Sequence, residues 1–215
     1  MLKVPKTLLL SLLLAGCTQT SRAPTPSPIA SFPTSTSPNS APSTPYLISS
    51  EGIGEGRLGM KLGELKEKLG DRAQFGDSQP FIVDLNAIPV SMDGEVQYYI
   101  LHFSAEPLTD RDPIPFLMTD NSQYRTAEGV GPGVAIAIAE QAYGDATLYY
   151  SVENESREFV RFANPPAPNL SFRTQGSPGD FAGIYEASAE TSFYGTQQFR
   201  PDSAIASVFL DGYRP

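Results

Sequence analysis

One cysteine, one histidine and no tryptophan leave this chain of 215 residues short of the usual equipment of catalysis. With Cys17 alone there is no disulfide framework and no thiolate metal site, so stability must come from packing. With His102 alone, a three-ligand zinc site or a Ser-His-Asp or Cys-His arrangement would have to converge on that one side chain. No Gly-x-Ser-x-Gly elbow is present. Acids are missing before Tyr46, where Lys3, Lys6 and Arg22 are the only charges, leaving 12 bases against all 24 acids in the remainder. A surface of that sign repels nucleic acid and anionic head groups, which argues against a nucleic-acid role and against direct adhesion of the folded part to a membrane. The hydrophobic content of 40% is that of one globular domain with a real core.

The first 16 residues have the layout of an export signal. Lys3 and Lys6 precede an apolar run from Leu8 to Leu14, broken only by Ser11 and followed by small Ala15 and Gly16. That run is far short of the roughly 20 residues a bilayer core demands. Leu14-Ala15-Gly16-Cys17 resembles the lipobox of bacterial lipoproteins. The resemblance implies a diacylglycerol thioether on Cys17, cleavage before it, and a protein held at the outer face of a membrane. An ordinary secretory signal, with Cys17 a spectator, is the plainer alternative. Thr18 stands where an aspartate would resemble an inner-membrane retention signal, so an outer membrane is expected if the cell has one. Residues 17–45 form a tether: seven prolines from Pro24 to Pro45 are spaced among Ser, Thr and Ala, with Ile29 and Phe32 the only bulky apolar side chains. Such a stretch cannot bury enough to offset its ordering entropy, and it reaches about 3.1 Å per residue.

Patterned hydrophobic sequence begins at Tyr46, and within 46–215 an internal repeat appears. The segment from Gly59 to Asp71 lies without a gap over the segment from Gly133 to Asp145, agreeing at both bounding glycines and the final Asp. In the first copy Leu58, Leu62, Leu65 and Leu69 share one helical face, and Gly70 predicts a left-handed cap. Val134, Ile136 and Ile138 alternate with Ala in the second copy as a strand would, but register with the first copy favours a buried helix. Neither helix has a Ser, Thr, Asp or Asn where it should start. Strands are expected over 81–85, 88–92, 95–103, 146–153, 157–163, 170–174, 181–187 and 204–210, with a tight hairpin at Asp93-Gly94 and a long connection over 110–125. The expected class is α+β: an antiparallel sheet with short helices, in two tandem helix-plus-strands units at about 46–105 and 124–215.

Gly59-Met60-Lys61, Glu64-Leu65 and Leu69-Gly70 resemble the Gly-Met-x-x-x-Glu-Val-x-x-x-Leu-Gly signature of small envelope lipoproteins of the outer-membrane-assembly type. The tandem arrangement is similar to that of the beta-lactamase inhibitory proteins. Arg72 replaces the proline that usually follows Leu-Gly, and Gly133-Val134 replaces Gly-Met in the second copy. The resemblance implies the fold and a binding role; it names no partner.

The remaining motifs have plain structural readings. Gly54-Glu55-Gly56-Arg57-Leu58-Gly59 satisfies the dinucleotide fingerprint, but no apolar strand precedes it, so a glycine-rich turn is expected; the same holds for 129–133. His102 shares a strand face with Val96, Tyr98 and Ile100, which favours a packed histidine. Asp110, Asp112, Asp120 and Asn121 could clasp calcium but lack the alternation of a calcium loop, so no metal or cofactor is expected. Tyr124 and Arg125, on the long connection, are the binding candidates, although Arg125 can equally pin that connection to an acid. The favoured reading is a monomeric, membrane-tethered, non-enzymatic module that binds another envelope protein. The alternative is a small-ligand or glycan-binding lipoprotein, with stacking on Tyr98, Tyr124, Tyr185 or Tyr194. A hydrolase using acidic residues stays open, since any two carboxylates can meet in space.

Overall fold

The computed structural model describes residues 46–186 and 192–213. The leader 1–16, Cys17 and the tether 17–45 lie outside the described residues. Among those described, the class is α+β: two short helices on a largely antiparallel sheet. Strands β1 (Ile48–Ser49), β2 (Gly52–Ile53) and β3 (Gly56–Arg57) make a small sheet of their own, so the glycine-rich stretch is a hairpin with Gly54 at φ 57° in its turn.

Helix α1 (Leu62–Leu69) precedes β4 (Gln74–Phe75), β5 (Gln79–Ile82), β6 (Leu85–Met92), β7 (Glu95–Phe103) and β8 (Phe116–Thr119). Helix α2 (Ile136–Tyr143) precedes β9 (Ala146–Ser151), β10 (Glu158–Phe162), β11 (Leu170–Thr174), β12 (Phe193–Thr196) and β13 (Ile205–Asp211). The large sheet runs β12-β9-β10-β11-β13-β8-β7-β6-β4, with β5 also on β6.

Both helices bury the side chains that the repeat aligns: Leu62, Leu65 and Leu69 in α1, and Ile136, Ala139 and Tyr143 in α2. Ile138, at 54% exposure, points outward, so the strand alternative for the second copy is excluded. Neither N-cap residue caps its helix with its own side chain; in α1 the Glu64 carboxylate accepts from Lys61 N–H at 3.2 Å, and in both first turns backbone carbonyls take further donors. Leu62 N–H donates to Asp112 O at 3.1 Å, Gly63 N–H to Asp110 O at 3.0 Å, and Ile136 N–H to Ser203 O at 2.9 Å. Gly63 permits this approach, since a Cβ there would stand 2.8 Å from Asp110 O. Gly70 ends α1 at φ 53°, ψ −139°, and Gly144 ends α2 at φ 75°, ψ −171°; both lie in the glycine-only region rather than the left-handed helical one expected.

Strands β1 to β4 and β12 lie outside the expected set, and the chain departs from expectation in further places. The chain turns at Val83-Asp84, with Asp84 at φ 64°, so the strand expected at 81–85 is divided between β5 and β6. Within the supposed connection 110–125 lies β8, buried at all four of its residues. After Ser151 the chain leaves β9 for a 3-10 turn, Val152–Asn154. Residues 181–186 form no strand, for a reason that lies in Glu158; residue 187 is outside the described residues. The Asp93-Gly94 hairpin is present, with φ of 52° and 82° joining β6 to β7.

The core lies between the helices and one face of the large sheet, where Tyr98, Ile100, Leu117, Leu148, Phe172 and Val208 meet Leu65, Ile136 and Ala139. Each such large side chain contributes about 1.5–3 kcal/mol by burial.

Candidate functional site: the open face of the sheet

Strand alternation gives the large sheet a second face, and among the described residues no helix packs there. Its side chains are nonetheless bulky and aromatic. Phe103, Phe116, Phe209 and Tyr213 form a chain of ring contacts between 5.3 and 6.1 Å. Tyr149 stacks between Phe159 at 5.8 Å and Phe193 at 5.6 Å. Phe81, Phe103, Phe193 and Tyr213 are 37%, 40%, 54% and 66% exposed, a concentration of wet aromatic surface that solubility alone does not ask for.

Between the two aromatic groups runs a trough of about 320 Å³. Phe81, Leu101, Met118 and Phe209 line one end, and Tyr149, Phe159 and Phe193 the other. Arg157 and Arg173, with Ser151, Ser171 and Ser207, supply polar atoms toward the second end, and Asn154 and Asp211 also line the trough. The Arg157 side chain is 14% exposed and one of its terminal nitrogens pairs with Glu155. The Nε of Arg173 is buried without a hydrogen-bond partner among the described residues. Burial pushes both guanidinium groups down from their ordinary value, and at Arg157 the nearby charge of Arg173 adds to the effect. Arg161, farther along β10, lies over the Tyr149 ring at 5.2 Å.

Glu158 points the opposite way from these arginines and is fully buried. Its carboxylate accepts from Ala182 N–H, Gly183 N–H and the Tyr185 hydroxyl, each at 2.8 Å, and from the Thr174 hydroxyl. Four donors and no cation make it a clamp on the chain that leaves β11.

The residues singled out in the sequence do not gather here. Tyr124 is buried against Tyr46 and Tyr98 on the helix side, and Arg125 donates to Tyr124 O at 2.7 Å, holding the connection. His102 is buried; its Nδ1 lies 2.9 Å from both Phe103 O and Glu106 O, and its Nε2 lies 2.8 Å from the Ser78 hydroxyl. Asp110 pairs with Lys66, Asp112 accepts from Thr109, and Asn121 donates to Val96 O. Asp120 is exposed, and no cluster of His, Cys, Asp or Glu among the described residues is placed to hold a metal ion. Of the tyrosines open to stacking, Tyr98 and Tyr124 are in the core, Tyr185 binds Glu158, and Tyr194 lies flat on Tyr150 at 4.8 Å.

The open face had a signal in the sequence. In Arg157-Glu158-Phe159-Val160-Arg161-Phe162 the acid shares a strand face with Val160 and Phe162, while the two bases flank Phe159. That inversion of the usual polar-out alternation marks both the clamp and the trough. Compared with protein-family models, curated proteins and solved structures, the chain matches none of them, so this geometry alone carries the functional argument.

Proposed function

We propose that the protein is a lipid-anchored, extracytoplasmic, non-enzymatic interaction module that binds another envelope protein through the open aromatic face of its sheet. The observation that carries the reading is the exposure of Phe81, Phe103, Phe193 and Tyr213 on one face of a domain in which acids otherwise outnumber bases two to one. A leash of Pro-rich chain on a lipidated Cys17 would hold such a face within reach of membrane neighbours.

Two tandem units would build that face, and the hydrogen bonding supports this. Gly59 N–H donates to Ile114 O at 2.9 Å, and Gly133 N–H to Ile205 O at 2.8 Å; Ile114 N–H returns to Met60 O, and Ile205 N–H to Val134 O. Each helix thus starts from a bridge to the end of its unit, at Ile114 just before β8 or at Ile205 in β13. Those two strands pair antiparallel about Met118 and Phe209, as a pseudo-twofold requires. The first unit then runs through Thr119 rather than stopping near 105.

A photo-crosslinking side chain at Phe103 or Phe193 in whole cells should give discrete protein adducts, and one at Ile138 or Glu67 on the helix side should not. Equal adducts from both sides remove the reading. The alternative, a small-ligand or glycan site, has in its favour a trough of ligand size lined by rings and serines. A sugar or other small molecule that raises the melting temperature, with no adduct from either face, decides for it. Fatty-acid labelling of the wild type but not of Cys17→Ser tests the anchor.

A further inference from the structure

We infer that the arginine end of the trough grips a carboxylate on an acidic, extended segment of the partner protein, held between Arg157 and Arg173 with its flanking side chains on Phe159, Tyr149 and Phe193. This rests on the open face being the partner-binding surface.

Strand register shows that the fold does not need these arginines. Arg173 stands beside Phe159 on β10 and Ser207 on β13; Leu101 stands in the same way beside Ala87 on β6 and Phe116 on β8. Two residues before Phe159 and Ala87 come Arg157 and Leu85. About the Met118–Phe209 pair, therefore, two leucines of an apolar cluster correspond to two guanidinium groups. The arginine positions are costly: both groups are desolvated, they repel one another, and Arg173 Nε donates to nothing among the described residues. A carboxylate accepting from both forks would satisfy the orphan donor and cancel the repulsion.

Glu155 occupies only a terminal nitrogen of Arg157. Asp211 also lines the trough, but it lies four residues along β13 from Ser207, roughly 13 Å away at strand rise, so with Glu155 set against Arg157 the basic end keeps a net positive charge. From Tyr149 on β9 to Leu101 on β7 the trough crosses five strand spacings, about 24 Å in all, the span of some seven extended residues. A small anion would fill one end and leave the rings wet, which favours a peptide segment.

A random dodecapeptide phage library panned on the full chain tests the inference. Acidic residues should be enriched several-fold over the unselected library among binders to the wild type. The double variant Arg157→Leu, Arg173→Leu should lose that enrichment while still selecting aromatic peptides and melting cooperatively. Arg173→Lys, which keeps the charge and loses the fork, should retain a weaker preference. Binders without acidic preference that are lost in Phe159→Ala overturn the carboxylate and leave the surface reading standing. Acidic binders indifferent to both arginines overturn it as well. The absence of any binder overturns the extended segment, and cross-linking then judges the surface alone. Stabilisation by inorganic phosphate through both arginines, with no peptide selected, reassigns the pair to a small anion and overturns the proposal.

Discussion

Glu158 on β10 takes the backbone N–H of Ala182 at 2.8 Å, a donor that an ordinary strand would give to its neighbour's carbonyl. Gly183 N–H goes to the same carboxylate, and this diversion is why 181–186 is not a strand. Glu158→Ala leaves two buried backbone donors unanswered and takes the carboxylate from the Thr174 and Tyr185 hydroxyls. It should cost about 3–5 kcal/mol in urea denaturation. Gly176→Ala attacks the same clamp from outside, since its Cβ would stand 2.0 Å from the Glu158 carboxylate, and should destabilise as well. A Glu158→Ala variant of near wild-type stability would show the clamp to be ornamental.

The helices offer a test of register. Leu65 is fully buried and Leu65→Ala should cost about 2–5 kcal/mol. Ala139 is buried equally at the corresponding turn, so Ala139→Leu should cost about 1–3 kcal/mol by overpacking. Glu67→Ala and Ile138→Asp, on exposed faces, should each stay within about 0.5 kcal/mol. Tolerance of Ala139→Leu beside a damaging Ile138→Asp would reverse the helix face.

Local periodicity made the helices, the Asp93-Gly94 hairpin and the strand at 170–174 legible, because each is specified by residues close in sequence. What escaped is set by distant partners. The four residues of β8 became a central strand by pairing with β13, some 90 positions later, and no local signal outweighed Pro113 and Pro115. Val83 is β-branched, yet Asp84 beside it accepts a positive φ and turns the chain. Tyr124 read as a surface candidate because a long connection was expected around it; β8 instead carries it into the core. The trough needs β9, β10, β11 and β13 side by side, and sequence orders strands in the chain without ordering them in the sheet.

Acid sensitivity should trace in part to Glu55. A hydrogen bond from Arg72 at 2.8 Å holds its carboxyl below the ordinary value of 4.5, more than its partial burial raises it. A carboxylate depressed on folding stabilises above its unfolded value and loses that contribution as pH falls through the lower folded one. Arg72→Ala should therefore lower the melting temperature at neutral pH, and the two proteins should converge as pH falls through the lowered folded value. Salt should narrow the gap, since Arg72 is mostly in solvent. A gap unchanged into strong acid would assign the effect of Arg72 to packing.

Two arginines on the open face should respond oppositely to the same change. Arg173 is half buried, beside another guanidinium, with a donor unanswered among the described residues, and in the proposed two-unit arrangement its counterpart is Leu101. Arg173→Leu should raise stability by about 0.5–2 kcal/mol, the range common for single stabilising substitutions. Arg161 is exposed and lies over the Tyr149 ring, so Arg161→Leu should lose about 0.5–1 kcal/mol with the cation–π contact. Paired urea titrations, with equal slopes to show that the unfolded states are comparable, decide the matter. Loss of stability on removing Arg173 would make it a structural residue, and the trough would then need another source of selectivity.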